Sequence, residues 1–147
     1  MREIKFRGRR ISDGEWVYGD LLHIVGGYVI YHGSQTESQL VEDRPNVAIE
    51  LYMDEVSPVL PETVGQYTGL HDEDGREIYE GDILMCVGQR IDNKGRKYFR
   101  KVSFKNGSFC MNVPEYNIDS YLHNHMENGE LPWEVVGNIH DKPELLR

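Results

Sequence analysis

The sequence has few cysteines and no long apolar run. Only two of its 147 residues are cysteine, Cys86 and Cys110, and neither belongs to a CxxC pair. A disulfide framework and a cysteine zinc site are therefore not expected. The longest aliphatic stretch, residues 83–87, is far shorter than the roughly 20 residues of a membrane-spanning helix. Because the chain also opens with charged residues, we expect a soluble cytoplasmic protein of a bacterial cell, without a signal peptide or a membrane partner.

The common catalytic and nucleotide-binding motifs are also missing. The sequence contains no GxSxG, GxxxxGK[ST], GxGxxG or HExxH. These patterns would place a nucleophile, a phosphate loop, a dinucleotide site or a zinc site. The sequence therefore assigns no catalytic residue and no cofactor.

The net charge of −9 is spread unevenly along the chain. Residues 11–89 carry sixteen acidic residues and two basic ones, whereas residues 90–105 carry seven Lys or Arg and one acidic residue. Such an acidic chain is not expected to have general affinity for nucleic acid. A local basic contact surface around residues 90–105 remains open.

Short alternating segments, separated by tight turns, run along almost the whole sequence. This pattern predicts a mainly β protein with little helix. Gly26-Gly27 predicts a two-residue hairpin turn, which would place Ile24 opposite Val29. We predict a surface loop at residues 33–44 and a further strand at residues 46–53.

Asn106-Gly107 gives the strongest hairpin signal in the chain. Counting outwards from it gives the pairs Lys105–Ser108, Phe104–Phe109, Ser103–Cys110, Val102–Met111 and Lys101–Asn112. The two apolar pairs share one face, which leaves Cys110 on the predicted outer face.

Segment 57–67, SPVLPETVGQY, has two prolines within four residues and is the best candidate for a boundary. We therefore predict an N-terminal β subdomain over residues 1–60 and a second domain over residues 61–147. Within the second domain, residues 118–129 predict a short helix, capped by Asp119 or Ser120 and stopped at Asn128-Gly129.

The run TGLHDEDGREIYEGDIL, residues 68–84, holds six acidic side chains. A two-residue turn at Asp74-Gly75 would set Glu73 opposite Arg76, which is favourable. It would also set Asp72 opposite Glu77, which is unfavourable, so a longer loop remains an alternative.

The same run does not fit the calcium-binding loop of an EF-hand. With Gly75 at position 6 of an EF-hand, positions 1 and 12 become Leu70 and Gly81, so the first and last ligands are missing. A looser divalent site made of Asp72, Asp74 and Asp82 remains open. His123, His125 and Glu127 could share a metal only if that segment were a strand.

Basic and aromatic residues alternate along the predicted strand before Asn106. Lys97, Phe99, Lys101 and Lys105 would project from one face, and such a surface suits single-stranded nucleic acid. Charged outer faces also keep sheet edges soluble, so the pattern has a structural explanation as well.

Four segments together resemble the YopX family of phage and prophage proteins. They are KFRGRR, GEWVYGDLL, PETVGQYTGLHDEDGREIYEGDIL and WEVVGNIHDKPELL, and the match runs in order from Lys5 to Leu146. The resemblance implies a mainly β fold, with a C-terminal part similar to SH3-type barrels, and a phage or prophage origin. It implies no catalytic residues.

Three functional hypotheses follow from the residues and the resemblance together. The leading one is a non-enzymatic accessory or binding protein of phage origin, with a protein partner or a second copy of itself. The alternative is a nucleic-acid-binding module that uses Lys97, Phe99, Lys101 and Lys105. The third is a metal-dependent hydrolase that uses the acidic side chains near Asp72, Asp74 and Asp82.

Overall fold

The computed structural model describes residues 2–33, 56–128 and 130–147. Within these ranges the chain forms eleven β-strands joined by turns and short 3-10 segments, and no α-helix. The prediction of a mainly β protein is confirmed. The predicted loop beyond Gly33 and the predicted strand at residues 46–53 lie outside the described residues.

The chain divides into two compact units. The N-terminal unit is Lys5–Val64, and the C-terminal unit is Gly65–Arg147 together with Met1–Ile4. The division falls within the proline-containing segment 57–67, where Pro61–Thr63 forms a 3-10 turn.

The N-terminal unit is an antiparallel sheet with the strand order β4-β3-β2-β1. Its strands are β1 (Phe6–Arg9), β2 (Trp16–Ile24), β3 (Gly27–Tyr31) and β4 (Val56–Val59). Val17, Ile30 and Val59 are buried together in its core. Thr63 connects the 3-10 turn to the sheet, because its hydroxyl accepts the Arg9 N–H at 2.9 Å.

The register predicted for the first hairpin is wrong by one turn position. Leu22 pairs with Val29 and Ile24 pairs with Gly27, so the two turn residues are Val25 and Gly26. Gly26 has a φ of 97°, a left-handed conformation that glycine adopts at little cost. Two adjacent glycines offered two possible turns, and local sequence did not distinguish between them.

The described residues of the C-terminal unit form seven strands. They are β5 (Gly65–His71), β6 (Glu77–Tyr79), β7 (Asp82–Val87), β8 (Lys97–Lys105), β9 (Ser108–Val113), β10 (Ile118–Tyr121) and β11 (Glu134–Asn138). Strands β5 and β6 form a hairpin, and the other five form an antiparallel sheet in the order β10-β9-β8-β7-β11. The core of this unit consists of Ile78, Leu84, Val102, Met111, Leu122 and Leu131.

The hairpin predicted at Asn106-Gly107 is confirmed. The four pairs nearest the turn are present, and both turn residues have positive φ, as a type I′ turn requires. At the fifth predicted pair, the Lys101 N–H donates to the side-chain oxygen of Asn112 at 2.6 Å. The predicted outer position of Cys110 is wrong, because that residue is buried. Its thiol lies 3.5 Å from the Ser103 hydroxyl, so the second face of this hairpin is covered at Cys110, whereas Lys105 at its end is exposed.

The predicted helix at residues 118–129 is also wrong. Residues Ile118–Tyr121 form β10, paired with β9, and Leu122–His125 forms a 3-10 turn. The pairing of Ser120 with Met111 and the burial of Leu122 outweigh the capping pattern. Gly129, the predicted stop, lies outside the described residues.

Among the described strands no pairing joins β10 to β11, so no closed barrel is found. The SH3-like barrel predicted for residues 61–147 therefore stays a prediction. In the part of the chain that the structure describes, no helix has the length and apolarity needed to cross a membrane.

Candidate binding site

The acidic loop between β5 and β6 is longer than a two-residue turn. His71 pairs with Glu77, and the Asp72 N–H donates to the Arg76 carbonyl at 2.8 Å. Glu73, Asp74 and Gly75 therefore form the tip, and Asp72 lies opposite Arg76 rather than Glu77. The longer-loop alternative is the correct one, and it removes the unfavourable acidic pair.

Asp72 is completely buried and acts as a hydrogen-bond acceptor for the backbone. Its Oδ1 accepts the N–H groups of Asp74 and Arg76 at 2.9 and 2.8 Å. Its Oδ2 accepts the Val135 N–H in β11 at 3.0 Å. Hydrogen bonds to a carboxylate are stronger than those between neutral groups, so this side chain fixes the loop and joins it to a strand 63 residues away.

Asp82 is the second buried carboxylate of the same run. It is 1% exposed, and its Oδ2 accepts the Tyr79 N–H at 2.7 Å across the turn before β7. Asp74, by contrast, is exposed at the loop tip. Within the described ranges no three His, Cys, Asp or Glu residues are grouped closely enough to hold a metal ion. The carboxylates named in the hydrolase hypothesis therefore do not converge on one site.

Replacing Asp72 with Asn should lower the free energy of unfolding by about 2–4 kcal/mol, because a carboxylate oxygen is lost and an amide N–H₂ faces the Val135 N–H. Urea unfolding followed by circular dichroism measures the change. The matched control is Asp74→Asn at the exposed tip, which should stay within about 0.5 kcal/mol of the native protein. Equal losses in the two variants would contradict the role assigned to Asp72.

The two histidines near β10 have different partners. His123 stacks on Tyr121 with ring centroids 5.4 Å apart. The Nε2 of His125 lies 2.7 Å from the Ser120 hydroxyl, and its ring meets Trp133 edge-on at 6.5 Å. Burial lowers the pKa of His125, so its neutral form is favoured. His125 therefore helps to position Trp133.

An open pocket of about 440 Å³ lies in the C-terminal unit beside the acidic loop. Its volume is within the range typical of ligand pockets. The residues that line it include Glu73, Met85, Cys86, Glu127, Pro132 and Trp133. This pocket brings together the loop tip, the end of β7 and the segment before β11, and we call it the acidic pocket.

Backbone hydrogen bonds hold the two ends of the acidic pocket together. The Glu73 N–H donates to the Trp133 carbonyl at 3.2 Å, and the Leu131 N–H donates to the His71 carbonyl at 3.3 Å. In the segment that carries Glu127, the backbones of Glu127 and Glu130 exchange hydrogen bonds at 2.8 and 3.0 Å. The positions of Glu73, Trp133 and Glu127 therefore follow from the backbone.

The acidic pocket has a negative rim and a half-buried thiol. Glu73 and Glu127 are exposed, and neither carboxylate has an ion pair with another residue in the described ranges. Burial raises the pKa of the Cys86 thiol; Arg100 opposes that change, and the charge of Glu73 adds to it. Glu73 and Cys86 line the same pocket, so the carboxylate charge lies close enough to act on the thiol.

Alkylation of Cys86 by iodoacetamide should have a midpoint above the pH expected for an unstructured cysteine, because only the thiolate reacts. Glu73→Gln removes a negative charge, so the pKa should fall and alkylation at fixed alkaline pH should become faster. Mass spectrometry against time gives both rates, and the buried Cys110 should remain unmodified. Glu62→Gln, in the N-terminal unit, is the control, and equal rates in the two variants would refute the effect of Glu73.

The four residues predicted for nucleic-acid contact are not equally accessible. Lys97 and Lys105 are exposed, whereas Phe99 and Lys101 are half-buried. The Nζ of Lys105 lies 2.7 Å from the Asp119 carboxylate, which raises the pKa of the lysine. Phe99 lines a small cleft together with Leu145 of the C-terminal turn. Lys97 is the member with the freest access to a large partner.

The opposite face at the start of β8 carries a second cluster of basic residues. The guanidinium groups of Arg96 and Arg100 lie 5.2 and 5.3 Å from the centre of the Tyr98 ring. Arg100 is buried, and its Nη2 lies 2.9 Å from the Glu115 carboxylate. A backbone hydrogen bond and the Arg100 charge lower the pKa of Glu115, so the pair stays ionised. Arg100 is therefore engaged within the fold.

Comparison with known proteins identifies the family. The family model described as "YopX protein" matches residues 5–147, essentially the whole chain. The chain belongs to the YopX family. The resemblance stated from the sequence is thereby confirmed. Among curated proteins there is no match.

A solved structure gives an independent comparison of the fold. The crystal structure of protein EF1440 from Enterococcus faecalis is similar, with a TM-score of 0.58 and 21% identity over the full length of both chains. At this identity the likeness concerns the fold alone. This YopX-family chain therefore shares its architecture with a bacterial protein of strongly diverged sequence.

The acidic pocket was not predicted from the sequence. Glu73 was considered only for its cross-strand pairing, and Glu127 only as a ligand beside two histidines. Trp133 belongs to the family segment WEVVGNIHDKPELL, which predicts no role for it. The three residues are far apart in the chain, and no fixed spacing links them. The one available signal was a tryptophan directly before a strand, next to a proline.

Proposed function

We propose that this YopX-family protein is a non-enzymatic accessory or binding protein, encoded by a phage or prophage and active in the bacterial cytoplasm. The acidic pocket carries the proposal: it is open, framed by backbone hydrogen bonds, and lined by Trp133 and by two exposed carboxylates. Aromatic anchors in preformed pockets are typical of interaction sites. The acidic run at residues 68–84 supports the same conclusion, because its buried carboxylates, Asp72 and Asp82, accept backbone N–H groups.

We also propose that the C-terminal unit is an SH3-like barrel in a partly open form. Strands β7 to β10 follow one another in the sheet, and β11 returns to pair with β7. A 3-10 turn at Leu122–His125 precedes that return. This strand order supports the relationship, and such barrels commonly serve as binding modules, although a fold alone assigns no function.

Charge reversal at the acidic pocket should abolish capture of a partner. The double variant Glu73→Arg, Glu127→Arg should lose the protein that the native chain retains from a lysate of its own bacterial strain, because a cationic rim repels what an anionic rim attracts. Affinity capture followed by mass spectrometry gives the comparison.

The matched control for that capture is Glu62→Arg, Glu144→Arg, which changes the charge equally at exposed positions outside the pocket. Circular dichroism verifies that both variants are folded. Equal capture by the two variants would count against the acidic pocket as the binding surface.

Nucleic-acid binding through β8 is the second candidate function. Residues 90–105 carry a net charge of +6, and Arg90, Lys94, Arg96 and Lys97 are all exposed at the same end of the β7–β8 hairpin. Lys101, Lys105 and Phe99 complete the surface predicted from the sequence. Phosphate contacts from such a strip would make binding strongly dependent on salt.

Fluorescence anisotropy with a labelled single-stranded oligonucleotide tests this candidate. Lys97→Gln should weaken binding and lower the slope of log K against log salt by about 1, because one phosphate contact is lost. Lys142→Gln, a lysine of the same unit outside β8, should leave the slope unchanged. Absent or salt-independent binding by the native protein would eliminate the candidate.

A further inference from the structure

We propose that the acidic pocket receives an arginine side chain presented by a protein partner. This inference rests on the proposed binding function and adds the chemistry of the bound group. Three independent properties of the pocket support it: the charge of its rim, the aromatic ring in its wall and the apolar surface beside that ring.

The rim charge is the first property. Glu73 and Glu127 come from different parts of the chain, yet both line the same pocket as exposed carboxylates. In the part of the chain that the structure describes, neither has a cationic partner. A cation in the pocket would be attracted by both carboxylates, and a guanidinium presents five donors in a planar fork that matches carboxylate geometry.

The aromatic ring is the second property. Trp133 is half-buried, with its backbone bonded to Glu73 and Leu131 and its ring against His125. A tryptophan face is the best cation–π acceptor among side chains, and arginine stacks on it readily. Because the ring is held before any ligand arrives, little conformational entropy is lost on binding.

The apolar wall is the third property. Met85, Val87 and Pro132 line the pocket beside Trp133. They would contact the methylene groups of an arginine, which pack on apolar surface while the charged end lies at the rim. A phosphate or another anion would be repelled by the two carboxylates. A divalent cation is disfavoured because the described residues offer no group of three ligands.

The N-terminal unit provides an internal comparison. Trp16 already lies under two guanidinium groups of its own chain, with Arg7 and Arg9 at 4.9 and 5.4 Å from the ring centre. No arginine contact of this kind is found for Trp133 within the described residues. The indole N–H signal of Trp133 therefore reports on binding, and the indole N–H signal of Trp16 is the control in the same spectrum.

The experiment is an NMR titration of the full chain with N-acetyl-arginine amide at millimolar concentration. We expect a saturable shift of the Trp133 indole signal, no shift of the Trp16 signal, and loss of the effect at high salt. N-acetyl-citrulline amide has nearly the same shape without the charge and should produce no shift. Glu73→Gln with Glu127→Gln should weaken binding roughly five- to tenfold relative to Glu62→Gln with Glu144→Gln.

Several outcomes would overturn the proposal. They are an equal shift with the citrulline compound, a shift of both indole signals, or an affinity that the Gln variants leave unchanged. Self-association of the native chain in analytical ultracentrifugation, abolished by the Glu73 and Glu127 changes, would assign the pocket to a second copy instead. If a partner protein is captured but the titration is negative, the arginine proposal is refuted and the proposed binding function stands.

Discussion

The C-terminal unit depends on one buried carboxylate. Asp72 is inaccessible to water, and its two oxygens accept three backbone N–H groups, two within its own loop and one in β11. A buried charge is costly unless hydrogen bonds compensate for it. Here the compensation comes from three backbone N–H groups, so removing the carboxylate breaks all three hydrogen bonds.

The position of the acidic pocket follows from this constraint. Because Asp72 fixes the loop against β11, the next residue, Glu73, is directed to the rim and its N–H reaches the carbonyl of Trp133. Residues 68–84 therefore contain acidic side chains of two kinds. Asp72 and Asp82 point inward and stabilise backbone, whereas Glu73 and Asp74 remain exposed. The geometry of the acidic pocket therefore depends on the buried Asp72.

The parts of the fold that sequence predicted well are those determined locally. Asn106-Gly107 allows one turn type, so its hairpin register is confirmed. Gly26-Gly27 allows more than one, and the predicted register was wrong. The predicted helix failed because the pairing of β10 with β9 is a tertiary interaction that capping residues do not reveal. The family could be inferred because its signature is long and continuous in sequence.

The acidic pocket could not be predicted for a different physical reason. Hydrophobic periodicity separates inward from outward residues along a strand, but it does not apply to consecutive acids in a loop. Asp72, Glu73 and Asp74 are chemically alike, and the hydrogen bond that ties Asp72 to the rest of the unit comes from Val135, 63 residues later. The acidic residues of this run therefore have separate roles, and those roles become distinguishable once the burial and the hydrogen-bond donors of each carboxylate are known.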